Sequence, residues 1–447
     1  MIGRYKAYPE YKESGVDWLG EVPRHWNKIK FKWILKEKTK TSNPLLPAGS
    51  ISFGEVVYKN EDNLSPETKF SYQEVLKDEL LINPLNLNFD LKSLRTGLSK
   101  INVVVSTGYI VIHVSESLDK NYIRWVMHQF DVAHMKTLGA GVRQTINFTD
   151  IANSFVYLAT DIEQQKIAHF LDHETAKIDT LIDKQEKLIE LLKEKRQAVI
   201  SHAVTKGISY KGQPNAPMKD SGVEWLGEVP EHWVKIAFKK VIKTRKGVAF
   251  STSDFCDNGV RVVKASDIKL LSLRQSDVFL PINFIKKYPK AYLTQGNIIL
   301  STVGSSPDVK NSAVGQIAMV PKELDNTLLN QNTVVFEPID KKIDRDYLFF
   351  LLQTTAYRDH LDLHAHGTAN QASLNVADML NFKCFTPPLN EQKHIAVHLY
   401  KFLEIVSTLE TRVINAIQLM QERKTALISA AVTGNIDVRD WTASGEV

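Results

Sequence analysis

Two stretches of about 45 residues, each free of proline and built of good helix formers, recur in this chain as near-copies of one another. The first, residues 161–207, has its only glycine at the last position. Stepping by alternate fours and threes from Ile167 gives a seam of Ile167, Leu171, Glu174, Ile178, Leu181, Gln185, Leu188, Leu192, Lys195 and Val199, seven of them apolar. That is the spacing of a coiled-coil seam and not the broad apolar stripe of an ordinary surface helix. The second stretch, residues 391–435, lies 228 residues later. Its seam is Ile395, Leu399, Phe402, Val406, Leu409, Val413, Ala416, Met420, Arg423 and Leu427, nine of ten apolar in the same register. The ends match as well, AVISHAVT at 198–205 and ALISAAVT at 426–433, and identity persists off the seam. A helix of this length spans on the order of 65 Å. It acts as a strut whose seam needs a partner, and each seam finds one in the other. Asp161 with Gln164 three residues on fits a capping box for the first helix, and Asn390 a cap for the second.

A second repeat has a different offset. Residues 12–34 read KESGVDWLGEVPRHWNKIKFKWI and residues 219–241 read KDSGVEWLGEVPEHWVKIAFKKV, sixteen of 23 positions identical at an offset of 207. The box-to-helix interval is therefore 21 residues longer in the second half. Two units result, each running box, globular region, long helix. Glycine and proline in the box exclude a long helix, and its tryptophan pairs, Trp18 with Trp26 and Trp225 with Trp233, favour a packed docking segment. The expected organisation is a first box at 1–27, a globular region at 28–160, a helix at 161–207, a polar linker with the second box at 208–234, a second globular region at 235–388, a helix at 389–436 and a tail at 437–447.

The globular regions share little sequence, yet both read as mixed α and β. β-Branched runs occur at 102–106, 109–114, 297–303 and 332–336, and an amphipathic helix is expected at 121–130 and again at 346–357. Tyr122 and Tyr347 fall at matching places, and ELLINPLN at 79–86 lines up with NIILSTVG at 297–304. The fold class is thus α+β: two mixed α/β domains on two long helices that form an antiparallel coiled coil, with an internal pseudo-two-fold repeat. Such a strut would hold two unlike modules apart, an arrangement suited to two short half-sites on DNA separated by an unread spacer.

Composition is that of an ordinary globular protein, and the net charge of +5 permits nucleic-acid binding without demanding it. The two cysteines, Cys256 and Cys384, form no metal-spacing motif and fit a reducing cytoplasm. No apolar run reaches the length of a membrane span, and the first residues lack the apolar core of a signal peptide.

The duplicated WLGEVPxHW box, with the duplicated helix starts IEQQKIA and NEQKHIA and their AVT ends, resembles the specificity subunit of type I restriction-modification systems. The resemblance covers the frame directly, about half of the chain, and the rest by position. It implies that the globular regions are target recognition domains, each reading one half of a bipartite asymmetric site on double-stranded DNA. It implies that the helices set the spacer and dock two methyltransferase subunits, to which restriction subunits add ATP-dependent nuclease activity. S-adenosylmethionine, ATP and Mg are expected on those partners, with no cofactor, metal or catalytic residue in this chain. The alternative is a two-headed coiled-coil adaptor for proteins that binds no DNA.

Motifs for catalysis are missing. Thr386-Pro387-Pro388-Leu389 lacks the polar and aromatic residues of an amino-methyltransferase motif, and there is no phosphate-binding Gly-Lys-Ser/Thr loop. Pro307-Asp308-Val309-Lys310 has no partner acid at nuclease spacing, and His360, His364 and His366 have no obvious fourth ligand. Phosphate contacts require Lys or Arg, and base edges favour Arg, Asn or Gln. The candidate DNA contacts are Lys92, Arg95, Lys100, Arg143 and Gln144 in the first region. In the second they are Arg245, Lys246, Lys264, Lys310, Asn311, Asn370 and Gln371. The loops GAGVRQT and HGTANQAS are expected at equivalent positions, each before the segment that returns to the helix.

Overall fold

The computed structural model describes residues 5–85, 94–138, 145–208, 216–224, 226–269, 271–305, 312–368 and 371–443. The chain forms two compact units, Met1–Lys187 with Val413–Val447, and Leu188–Arg412. Each unit contains one globular domain and half of each long helix.

The two long helices run over Asp161–Lys206 and Leu389–Val432. The first starts on a different cap from the one expected. Thr160 N–H and Oγ1 both donate to the Glu163 carboxylate, so it is Glu163 that folds back on the residue before the helix, and Gln164 is released for other work. The second begins before Asn390, with Gln392 N–H donating to Pro388 O.

Within the first unit the helix segments run antiparallel. Asp179 accepts two 2.7 Å bonds from Lys424 Nζ, and Glu163, sixteen residues earlier, approaches Arg439, fifteen later. Ile167, Leu171 and Ile178 are buried there with Leu427, Ile428 and Val432, and Val413 and Met420 follow on the same face. Within the second unit Ile200 and Val204 share a core with Ile395 and Leu399, Val406 is buried, and Phe402 and Leu192 are half-buried.

Three apolar seam positions lie outside the buried stripe. Leu181, Leu188 and Leu409 are exposed, while Ile182, Ile189 and Glu410 are half-buried. The first helix carries adjacent apolar pairs, Leu181-Ile182 and Leu188-Ile189, so two registers one residue apart are both apolar, and periodicity does not separate them. Packing selects the second of them.

Each domain is built on a four-stranded antiparallel sheet. In the first unit the order is Leu35–Glu37, Ile110–Val114, Leu80–Ile82, Thr96–Leu98. In the second it is Ile242–Lys246, Thr333–Pro338, Ile298–Ser301, Ile317–Met319. In chain order both sheets read first, fourth, second, third, so the two domains share a core topology, and the aligned segments ELLINPLN and NIILSTVG supply the same strand. The helix Lys120–Ala133 covers the first sheet. Its counterpart is broken into Arg345–Leu351 and Thr355–Leu363, with Thr354 capping the second piece. The extra length of the second domain includes a further sheet of Phe279–Leu280, Val260–Val263, Thr327–Leu329 and Tyr292–Leu293 with its own small core.

The box is more regular than its Gly and Pro content suggests. Tyr11–Glu13 pairs with Glu21–Pro23, and Met218–Asp220 with Glu228–Pro230. The strand that follows each box closes its domain: Asn27–Lys30 pairs with Phe155–Leu158, and Val234–Ala237 with Lys383–Thr386, just before the long helix begins. Trp26 and Trp233 are buried and Trp18 is partly buried; Trp225 lies outside the described residues.

Candidate nucleic-acid interface

What fixes each domain to its helices is a clasp made twice from the same residues. His25 Nε2 donates to Glu163 at 2.9 Å, and His232 Nε2 to Glu391 at 2.7 Å. The histidine is the one before the second box tryptophan, and the glutamate stands in the EQ pair of the helix start. Burial raises the Glu163 carboxyl, but hydrogen bonds from Thr160 and His25 outweigh it and hold it below the ordinary carboxylate range. The glutamine beside each glutamate makes a second tie. Gln164 Oε1 accepts from Asp119 N–H and its amide donates to Ala159 O; Gln392 Oε1 accepts from Asp344 N–H and its amide donates to Pro387 O. Asp119 and Asp344 are themselves the caps of the domain helices. Tyr122 and Tyr347, both fully buried, bond the backbone at Ala159 and Val204.

The far end of the opposite helix completes each clasp. Gly434, past the second helix and at φ +76°, is seated so close to Pro23 that a Cβ would lie 2.3 Å from its ring, and Tyr11 Oη donates to Gly434 O. Gly207, at φ +81°, lies against Trp233 and Glu391. The histidines were not singled out from the sequence, and Gln164 was read only as part of a cap, although the signal was present: both residue types are identical in the two copies of the frame.

The two loops expected to be equivalent do leave from equivalent places. Past the first loop, Ile146 N–H donates to Pro84 O; past the second, Leu374 N–H donates to Thr302 O. Pro84 and Thr302 follow the matching strands of the two sheets. The second loop is a hairpin, Ala365–Thr368 with Gln371–Leu374, joined to Val303–Gly304. Lys92, Arg143, Gln144, Lys310, Asn311 and Asn370, and the Pro307–Lys310 motif, lie outside the described residues. Gln371 is exposed.

Two of the other candidates are structural. Arg95 is buried: its N–H and Nη1 both donate to Asp131, at 2.7 and 3.3 Å. Arg245 spends its guanidinium on Glu337, Lys290 O, Tyr292 O and Asn297 Oδ1, tying sheet to turn. A lone arginine in a strand looks the same in sequence whether it faces solvent or a carboxylate. Lys246 is exposed and Lys264 half-exposed, and the structure brings them to one strand edge. Asn330 N–H donates to Val263 O, and a Cβ on Gly247 would lie 1.9 Å from Asn330 O, so only glycine permits that approach. Lys100 is exposed and paired with Glu55 at 3.1 Å. Of the three histidines, His360 bonds Asp378 O and His364 bonds His360 O, local roles that need no metal.

A cleft of about 940 Å³ opens in the first unit between the Phe53 hairpin, the Lys120–Ala133 helix and both long helices. Its cations are each committed to a carboxylate: Arg124 to Asp172, Lys424 to Asp179 and Lys100 to Glu55. His128 on its wall is pushed down to about 4, by burial first and then by Lys424 and Arg124. A neutral histidine in the fold that accepts a proton when unfolded gives stability that is intact above about pH 6.5 and is lost as pH falls toward 4. With partial access to water the loss is on the order of 2 kcal/mol. Urea titrations at pH 7 and pH 4.5 should show it in the wild type, and His128→Gln should flatten the difference.

Comparison with known proteins places this architecture. Residues 230–419 match the model of the type I restriction modification DNA specificity domain. The type I restriction enzyme MjaVIII specificity subunit of Methanocaldococcus jannaschii is 28% identical over 218 residues, 48% of this chain and 49% of that protein. The putative MjaX specificity subunit of the same organism is 21% identical over 188 residues, 42% of this chain and 43% of that protein. The matches thus span about half the length of these curated relatives. A chain solved in work on complex assembly and conformational transition of the type I R-M system superposes with a TM-score of 0.60 at 13% identity, covering 92% of this chain and 98% of that one, a likeness of fold. With a duplicated frame and two domains of one topology, the chain is similar to type I restriction-modification specificity proteins in sequence over about half of its length and in fold over nearly all of it.

Proposed function

We propose that this chain is the DNA-recognition subunit of a type I restriction-modification complex, with each globular domain reading one half of a bipartite, asymmetric site. The observation that carries the proposal is the combination of two identical clasps with two domains of one sheet order and unlike loops: the mounting is constant and the reading surface varies. Two methyltransferase subunits docked on the long helices supply S-adenosylmethionine chemistry, and restriction subunits supply ATP and Mg chemistry. The chain itself catalyses nothing. Its place of work in this reading is the cytoplasm, beside the DNA. Among the described residues no helix is long and apolar enough to cross a membrane.

The test is selection of bound duplexes from a random pool by the chain with its methyltransferase subunits. Two short unlike motifs at a fixed unread separation are expected, and Gln371→Ala should change the base preference within one motif only. A single continuous motif, or no enrichment, would refute the reading.

A further inference from the structure

Beyond the variable loops, the constant frame carries its own cations. In the first unit Lys28 and Lys30 project from one face of the strand that closes the domain, both over the ring of Phe155, at 4.8 and 5.0 Å. The turn that follows exposes Lys32 and Trp33, the latter 71% exposed. In the second unit the same strand and turn present Lys235, Lys239 and Lys240. Among the described residues none of these lysines is ion-paired to a carboxylate, whereas lysines elsewhere, such as Lys38, Lys69 and Lys424, are.

The comparison between the halves is informative at two positions. Lys30 stands opposite Phe155 across the strand pair, and its counterpart Ala237 stands opposite Lys383. A cation is kept at that cross-strand site, but it has moved to the other strand. Trp33 in the first turn is replaced by Lys240 in the second. Positive charge is therefore retained while shape is not. A dry protein interface with two copies of one partner would require matching shapes in both halves. A phosphate backbone makes no such demand, since it is met by any cation within reach. Exposed aromatic rings among lysines also suit a nucleic acid.

We infer that these frame lysines, Lys30 and Lys32 in the first unit and Lys239, Lys240 and Lys383 in the second, form sequence-independent phosphate contacts to duplex DNA, separate from the loops that read bases. This rests on the DNA-recognition reading above. The contacts would hold either domain on the duplex whatever sequence its loops face.

The experiment compares the full-length wild type with a quintuple variant, Lys30→Gln, Lys32→Gln, Lys239→Gln, Lys240→Gln and Lys383→Gln, on labelled duplexes of the selected site and of random sequence. Affinity is followed from about 50 to 200 mM salt. If the inference holds, the variant's salt slope is shallower by about 4.5, since each of the five neutralised phosphates adds about 0.9 to the slope. Affinity then falls by the same factor on both duplexes, and the selected motifs do not change. An unaltered melting temperature shows that the variant is folded. An unchanged slope and affinity would overturn the inference, as would unchanged DNA binding with abolished capture of the methyltransferase subunits, which would mark the strip as a protein surface. A wild type that binds neither duplex would sink the DNA-recognition reading itself and is distinct from both.

Discussion

Trp233→Ala should destabilise the second unit by about 3–5 kcal/mol, the usual cost of truncating a buried tryptophan. For a unit of this size that corresponds to a fall in melting temperature of roughly 6–20 °C. The indole is 1% exposed and lies where the box, the start of the second long helix and the end of the first converge. Its Nε1 donates to Glu391 at 3.1 Å, so truncation both opens a cavity and takes one donor from a carboxylate that also holds His232. The corresponding residue of the first unit provides a control. Trp26 is equally buried, but its Nε1 has no partner among the described residues. Replacement by phenylalanine, which keeps most of the packing, should therefore cost more at Trp233 than at Trp26, by about 1.5–3 kcal/mol for a hydrogen bond to a charged group. Calorimetry of Trp26→Phe and Trp233→Phe tests this, and equal losses would show that the Glu391 bond contributes nothing.

Arg95→Ala should cost a similar amount, about 3–5 kcal/mol, because it leaves the buried Asp131 carboxylate without its countercharge and with only the backbone N–H of residue 95 from this pair. Burial already holds Asp131 above the ordinary carboxylate range, and Arg95 opposes that shift. Removing the guanidinium raises it further. A carboxyl whose folded value lies above its unfolded one favours the fold at low pH and disfavours it as pH rises. The deficit of Arg95→Ala relative to wild type should thus be largest at neutral pH and shrink as the solution is acidified, measured by urea unfolding at pH 7 and pH 5. DNA affinity of the folded variant should be unchanged, in contrast to the frame-lysine variant. A loss of affinity at full stability would return Arg95 to the recognition surface.

Sequence alone determined the frame, because the frame is repetitive. A box and a helix written twice can be compared position by position, and the comparison exposes the architecture, the shared strand at 79–86 and 297–304, and the equivalent tyrosines. Periodicity fixed the helices but not their seam, since Leu181-Ile182 and Leu188-Ile189 offer two apolar registers that only burial in the fold distinguishes. The cap of the first helix moved from Asp161 to Thr160 for a related reason. Glu163 has a choice of local donors, and the pull of His25 from the box fixes where it sits.

Tertiary structure alone decided the fate of the charged side chains. Arg95 and Arg245 satisfy the same sequence criteria as Lys246 and Lys264, yet the first two are consumed by internal acceptors, while among the described residues neither lysine forms an ion pair within 4 Å. A charge becomes a recognition element only when no nearby acceptor of the same fold claims it first, and those acceptors, Asp131 and Glu337, come from distant points in the chain. Local pattern records which groups a residue can offer; three-dimensional packing determines which of them remain to be offered.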